Sequence, residues 1–270
     1  MSGASASAPR VVVVGACPAG VRAAQALVQV GLRPIVVDEG RRDGGQIYRR
    51  QPEGFKRPYA KLYGTEADKA EALHSDFGAL RDQIDYRSDT LAWNLSEGAL
   101  HVVRAGEPQV LPFDALIVCS GATDRLMPVP GWHRAGCYSR GASQIALKAQ
   151  ACAIGARTVF LGSEPLLYLV ASQYVQAVAV RDAQGHAHRF ECDAVGLGWH
   201  LRAEMQLADL ARCEFDFEPV SRQWLPRIDA DGRSSTRGVY LAGDGARILG
   251  ADGAEAAGRL AALAALADLG

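Results

Sequence analysis

The residues with the clearest chemical meaning are Gly15-Ala16-Cys17-Pro18-Ala19-Gly20, followed by Asp38. A G-x-G-x-x-G turn between a buried strand and a helix brings backbone N–H groups to a dinucleotide pyrophosphate. An acid at the end of the next strand accepts hydrogen bonds from a ribose. Gly15 makes the tight turn and Gly20 lets the helix pack on the strand. Cys17 stands at the middle position, where the pyrophosphate comes closest, so its Cβ and sulfur crowd that place. The same residues also serve a helix–strand turn that holds no ligand. Three further stretches carry chemistry. Asp38-Glu39-Gly40 leads to Gly44-Gly45-Gln46-Ile47-Tyr48-Arg49, whose glycine pair, amide and arginine can lie along a ribitol chain or a flavin ring. Taken alone, that stretch reads as a solvated surface loop. Cys119-Ser120-Gly121-Ala122-Thr123 closes a buried apolar run. Val239 to Ala246 delivers Asp244 to a helix start, where its carboxylate binds a ribitol hydroxyl or caps the helix.

The remaining polar candidates suggest less. His186 and His188 flank Ala187 on a strand and face the same side, but a metal site needs further ligands, and none is near in sequence. His200, beside Trp199 after a strand end, is the histidine placed best for a ligand cleft, but the expectation for it is a packed or solvent-facing side chain. Trp93, Trp132, Trp199 and Trp224 are expected in the core or under a lid. Cys17 at a helix start has the setting that lowers a thiol pKa and makes a redox-sensitive group, although plain substitution explains it as well. Arg41, Arg42, Arg49 and Arg50 suit a phosphate-facing patch or a solvated loop. No Ser-His-Asp or Cys-His arrangement supports a hydrolase. The six cysteines form no C-x-x-C pair, which speaks against a zinc ribbon, a thioredoxin-type redox pair and a disulfide framework.

These residues need elements to hold them. Val11 to Val14 reads as a strand buried on both faces, Ala19 to Val30 as a helix stopped by Gly31, and Ile35 to Asp38 as the second strand. Thr65 to Asp68 resembles a capping box opening an apolar stripe of Ala67, Ala70, Leu73, Phe77 and Leu80. Residues 84–87 form a strand, and 90–95, 100–104 and 109–111 a set of short antiparallel strands. Residues 115–119 return as a buried strand. A second strand–turn–helix pattern follows, with helices over 143–154 and 165–175, a strand over 158–161 and a hairpin over 177–181 and 187–192. Residues 239–242 form a late strand, and about 254–269 a closing helix.

The chain has 270 residues, 29 Lys and Arg against 30 Asp and Glu, 49% hydrophobic and 22% charged residues. That composition is globular, and the charge balance excludes a polybasic partner for nucleic acid or a membrane surface. With no targeting signal or bilayer-length apolar stretch, the chain is expected to be cytoplasmic.

In this order, the four glycine-rich stretches resemble those of the two-dinucleotide-binding-domain flavoproteins. The chain is similar to the FAD/NAD(P)-binding α or A subunits of heteromeric amino-acid and opine dehydrogenases. This group includes the octopine and nopaline oxidase A subunits, D-hydroxyproline dehydrogenase α subunits and the hydrogen cyanide synthase B subunit. Residues 11–27, 36–52, 111–132, 144–155 and 232–264 carry the resemblance, which covers most of the chain. It implies an α/β fold, in which a Rossmann-like FAD-binding domain (parallel sheet plus β-meander) carries an inserted, shortened NAD(P)-type domain. The boundaries would be 1–123 and 223–270 for the FAD domain and 124–222 for the insert. It assigns to the FAD site Gly15, Cys17, Pro18, Ala19, Gly20, Asp38, Glu39, Gly45, Gln46, Thr90, Gly121, Gly243 and Asp244. It also implies a larger FAD-containing subunit that oxidises the amine of a small amino acid or opine, while this chain transfers electrons.

Three departures qualify the resemblance. Gly162-Ser163-Glu164-Pro165 replaces the second G-x-G, and Glu164 sets a carboxylate where an NAD(P) pyrophosphate would meet a helix start, so NAD(P) is not expected to bind. The second domain is too short for the usual strand–helix crossovers. No cysteine cluster follows the closing helix, so no iron–sulfur cluster of its own is expected. Cys17 and Glu164 both stand against full activity. Two rival readings follow: a structural subunit that has lost its nucleotides, and a stand-alone NAD(P)H-dependent flavin reductase.

Overall fold

Val11 to Val14 is four β-branched residues in a row, a pattern that favours a strand covered on both faces. In the computed structural model, which describes residues 8–162, 166–171 and 174–270, this is strand β1 (Val11–Val14), with no residue more than 8% exposed. Burial of each such side chain is worth roughly 1.5–3 kcal/mol. Helix α1 (Pro18–Gln29) begins with Pro at its first position, where the missing N–H costs nothing. It stops at Gly31, whose φ is +84°. The N–H groups of Gly31 and Leu32 bond back to the Val28 and Leu27 carbonyls, closing a Schellman turn. Strand β2 (Ile35–Val37), helix α2 (Tyr59–Tyr63) and helix α3 (Ala67–Leu80) follow.

The capping box does not form. A short 3-10 turn over Gly64–Glu66 precedes α3, and Glu66 takes the cap position without a side-chain bond. Strand β3 (Asp85–Arg87) leads into the meander of β4 (Thr90–Ser96), β5 (Ala99–Arg104) and β6 (Glu107–Pro112), and the chain returns in β7 (Ala115–Val118).

Next come β8 (Ala122–Arg125), β9 (Cys137–Ser139), helix α4 (Arg140–Gln144), β10 (Thr158–Leu161) and β11 (Leu166–Ala171). These lead to β12 (Val175–Arg181), β13 (Ala187–Glu191), β14 (Ala194–Leu197) and β15 (His200–Ala203). The last elements are α5 (Gln206–Leu210), β16 (Phe215–Glu218), β17 (Gln223–Pro226), β18 (Val239–Leu241) and α6 (Gly250–Leu269).

The chain divides into two units. The first comprises Met1–Tyr48, Tyr59–Ala122 and Ala203–Gly270; the second comprises Arg49–Pro58 and Thr123–Arg202. The boundaries differ from those read in the sequence. Residues 203–222 pack in the first unit, where the Ala203 N–H donates to Gln223 Oε1 and Leu207 joins the main core. Arg49–Pro58 groups with the second unit.

The first unit is built on a parallel sheet in the order β18-β7-β1-β2-β3, with the meander β4-β5-β6 as a separate antiparallel sheet. Its core joins sheet residues such as Val12, Leu116 and Leu241 to Leu100, Val102 and Leu207. Helices α1 and α6 approach so closely that a Cβ on Gly258 would lie 1.9 Å from the Ala19 carbonyl oxygen.

The second unit holds a parallel sheet, β10-β14-β9, and an antiparallel one, β11-β12-β13. Two helix expectations fail here. Residues 166–171 form a strand antiparallel to β12, not a helix. A short apolar run carries no periodicity that separates the two states, and here the neighbouring strand edge decides. The helix expected over 143–154 begins at Arg140 and widens to a π-turn over Ile145–Ala149. It ends there because Ala151 turns left-handed, with φ +57°. Three of the tryptophans expected inside lie outside: Trp93, Trp132 and Trp224 are 51%, 44% and 60% exposed.

Candidate functional site

Parallel strands in register end together. β2, β1, β7 and β18 are successive neighbours in the first sheet, so the segments following their C-terminal ends share one edge. That edge is where open α/β sheets take their ligands. It gathers the Gly15–Gly20 turn, Asp38, Ser120-Gly121 and Gly243-Asp244. The Gly15 N–H donates to the Val37 carbonyl at 2.8 Å. A Cβ on Gly15 would lie 2.3 Å from the Cys119 carbonyl oxygen, and one on Gly20 1.7 Å from that of Gly15, so both positions require glycine.

Pro18, Ala19 and Gly20 form the first turn of α1 and are buried. Cys17 caps that turn in extended conformation. Its Sγ reaches the Cys119 carbonyl at 3.3 Å. Burial pushes the thiol pKa up to about 11, against the pull of the Gly20 and Ala19 N–H groups and with the charges of Asp38 and Asp244 adding to the rise. The redox-sensitive reading of Cys17 is therefore corrected: desolvation outweighs the helix start and keeps the thiol protonated.

Asp38 turns both carboxylate oxygens to the backbone. Oδ2 accepts from the Ala16 N–H at 2.5 Å and Oδ1 from the Gly40 N–H at 2.6 Å. Its pKa is nevertheless pushed up to about 6, first by burial and then by Glu39 and Asp43. Glu39 is exposed. Thr90 is buried, and its N–H donates to the Asp38 carbonyl at 2.9 Å, tying the meander to the acid.

Gly45 lies against the turn: its φ is +60°, and a Cβ there would be 2.5 Å from that of Cys17. Gly44 beside it donates its N–H to the Ala16 carbonyl at 2.8 Å. Gln46 is exposed at the rim. Gly121, with φ +72°, accepts at its carbonyl from the Glu204 N–H, and Ser120 Oγ donates to the Glu204 carbonyl at 2.6 Å.

Asp244 follows β18 in a short 3-10 turn. Its Oδ1 is buried and has no hydrogen-bond partner, and burial raises its pKa, opposed by the Leu249 N–H. A buried carboxylate oxygen without a donor costs of the order of 1–3 kcal/mol or more. A hydroxyl group brought to this edge would remove that cost. Gly243 before it has φ +72°, and a Cβ there would lie 3.1 Å from that of Ala19.

The other candidates disperse. Asp182 accepts from both His186 and His188, and no group of three metal-ligating side chains occurs among the described residues. In the second unit a cleft of about 280 Å³ is lined by Trp132, Tyr138, Leu197 and Trp199 among others. His200 does not line it and lies exposed on β15. Glu164 lies outside the described residues.

The sequence offers His74 only as one of six candidate ligand or base histidines, with His101 and His133 among them. The structure buries it to 4% exposure and sets it against the Tyr48 carbonyl behind Gly45, a role the sequence does not show. The available signal was its place beside Leu73 on the same apolar stripe of α3. No helix among the described residues is long and apolar enough to cross a membrane.

The chain resembles the opine oxidase A subunit of Agrobacterium tumefaciens, with 32% identity over 331 aligned positions covering 95% of this chain. The alignment is longer than the chain, so the relative has residues inside the matched span that this chain lacks. The chain spans 65% of that relative's length. The HcnB subunit of hydrogen cyanide synthase from Pseudomonas protegens is 33% identical over 175 positions, covering 64% of this chain and 37% of its own. Among solved structures, L-proline dehydrogenase from P. horikoshii superposes with a TM-score of 0.79 at 20% identity, over 97% of this chain and 55% of that one. That likeness establishes the fold, a Rossmann-like α/β architecture. The sequence profile described as pyridine nucleotide-disulphide oxidoreductase matches residues 9–165, the span from the start of β1 through the Gly15 turn, the meander and β10. The chain therefore belongs to the pyridine nucleotide-disulphide oxidoreductases.

Proposed function

We propose that this chain binds FAD in its first unit and is the electron-transferring subunit of a heteromeric amino-acid or opine dehydrogenase. The observation that carries the reading is Asp244 Oδ1, a buried acceptor with no donor at the sheet edge where the glycine turn opens. The residues there fit the cofactor. Ala19 and Gly20 offer N–H groups at the start of α1 for a pyrophosphate. Asp38 retains lone pairs for a ribose, Gly45 and Gln46 border the ribitol and ring, and Asp244 accepts from a ribitol hydroxyl. When bound, FAD supplies the reversible two-electron chemistry. The chain itself binds and orients, and its buried turn keeps water from the pyrophosphate.

NAD(P) is not part of the proposal. Among the described residues the element after β10 is strand β11 and not a helix, so no helix start meets the end of β10 to take a second pyrophosphate. Glu164 adds a negative charge in that segment. Both relatives are named as subunits, which supports a heteromer in which a larger, FAD-containing partner oxidises the amine.

The test is the visible absorption spectrum of the purified chain, with acid release of any chromophore. One FAD per chain is expected, unbleached by NADH under anaerobic conditions. A folded chain that stays colourless with added FAD overturns the FAD reading in favour of a structural subunit. Bleaching by NADH replaces the subunit reading with a flavin reductase. Copurification with a larger amine-oxidising chain tests the heteromer.

A further inference from the structure

Tyr48 is the last residue of the first unit before the chain departs into Arg49–Pro58, and Tyr59 is the first residue after it returns. One side chain holds both. His74, on α3 and buried, has Nε2 2.7 Å from the Tyr48 carbonyl oxygen and Nδ1 2.8 Å from the Tyr59 hydroxyl. A carbonyl only accepts, so Nε2 carries the proton, and Nδ1 is left to accept from the tyrosine. Both ring nitrogens are thereby satisfied in a single tautomer.

The grip extends to the glycine pair. Tyr48 donates its N–H to the Gly44 carbonyl at 3.1 Å. A Cβ on Gly44 would lie 2.8 Å from His74 Nε2 and 2.2 Å from the Tyr48 oxygen, so the imidazole and glycine specify each other. The Tyr48 ring is fully buried, and its hydroxyl donates to Glu66 at 2.9 Å. The Gly44–Tyr48 loop is thus fixed on one side to the Ala16 carbonyl and on the other to α3.

We infer that His74 is a positioning residue that fixes Gly45 and Gln46 by holding together the two ends of the Arg49–Pro58 excursion. Its consequence for FAD rests on the proposed function; its consequence for the backbone does not.

The experiment compares His74→Leu with His74→Gln, whose Nε2 can still donate to the Tyr48 carbonyl. Hydrogen exchange of a peptide spanning 44–48 is measured on FAD-free protein, and FAD affinity by fluorescence titration. The leucine variant is expected to exchange at least tenfold faster over this loop and to bind FAD at least tenfold more weakly. The glutamine variant keeps the bond to the Tyr48 carbonyl and loses the one to Tyr59, so it should show a severalfold change in both, smaller than that of the leucine variant. Should the leucine variant fail to fold, Tyr59→Phe serves, with a severalfold rise in exchange expected. Loop exchange unchanged by loss of the imidazole overturns the inference. Equal acceleration in the leucine and glutamine variants overturns it too, because packing rather than the carbonyl bond would then be responsible. A parent chain that binds no FAD ends the FAD reading, while the exchange comparison still decides the clamp.

Discussion

Cys17 and Asp38 show how burial decides chemistry that residue type alone leaves open. A cysteine at a helix start invites the reading of an activated thiol, yet the thiol pKa of about 11 keeps it protonated near neutrality. Iodoacetamide should therefore modify exposed Cys152 well before Cys17, as peptide mapping of partly alkylated protein can show. Cys17→Gly should restore room and free the Ala19 and Gly20 N–H groups, tightening FAD binding by about 1–2 kcal/mol, measured by titration. For Asp38, the folded pKa of about 6 lies above the ordinary 3.8. Between about pH 4 and pH 6 the fold binds more protons than the unfolded chain, so stability falls as pH rises through that window, by up to about 3 kcal/mol. Asp38→Asn should remove that slope in urea unfolding at pH 4.5 and pH 7. An unchanged slope would show that Asp38 is ionised in the fold throughout. The placement of the glycine turn, Asp38 and Asp244 after strand ends was legible from residue type and spacing. His74 was not, because its partners are a carbonyl and a tyrosine hydroxyl that only the fold brings to it.

At the scale of elements, legibility tracked how many independent signals agreed. β1, α1, the meander and α6 were each marked by period, by turn residues or by both, and the structure has them within a few residues. Residues 166–171 had only an apolar run, and the pairing with β12 decided their state. The capping box at Thr65 was a local match without its bonds. Packing between α1 and α6 depends on a feature no propensity scale reports, the absent Cβ of Gly258. Gly258→Ala improves helix propensity but forces the helices apart at the Ala19 carbonyl. The net change should be a loss of about 1–3 kcal/mol, read from the thermal midpoint. Gly78→Ala in α3 is the control, since a Cβ there would meet nothing within 4 Å.

At the scale of the whole molecule, the two units carry unequal cores. Among the described residues, one cluster of the first joins fifteen buried residues, and one of the second joins six. On the second unit's parallel sheet, Phe160 stays 59% exposed and its ring lies over Gly196. Urea unfolding should therefore show two transitions, with the Trp132 and Trp199 region released first. Fluorescence of Trp132→Phe and Trp199→Phe variants can assign the earlier one. A single coincident transition by fluorescence and circular dichroism would refute this. The discontinuity of the first unit was legible from the order of its motifs, but the joining of Arg49–Pro58 to the second unit was not, because nothing local marks that excursion. The same discontinuity affects synthesis. β7 has its edge covered by β18, and α1 its face by α6, yet roughly 120 residues separate β7 from β18 in the chain. At ribosomal speeds of about 5–20 residues per second, the valine-rich half-sheet waits on the order of 10 s with an open edge. Throughout that interval the nascent chain presents an unpaired apolar strand, so its yield in cells should depend on the chaperones that meet it at the ribosome.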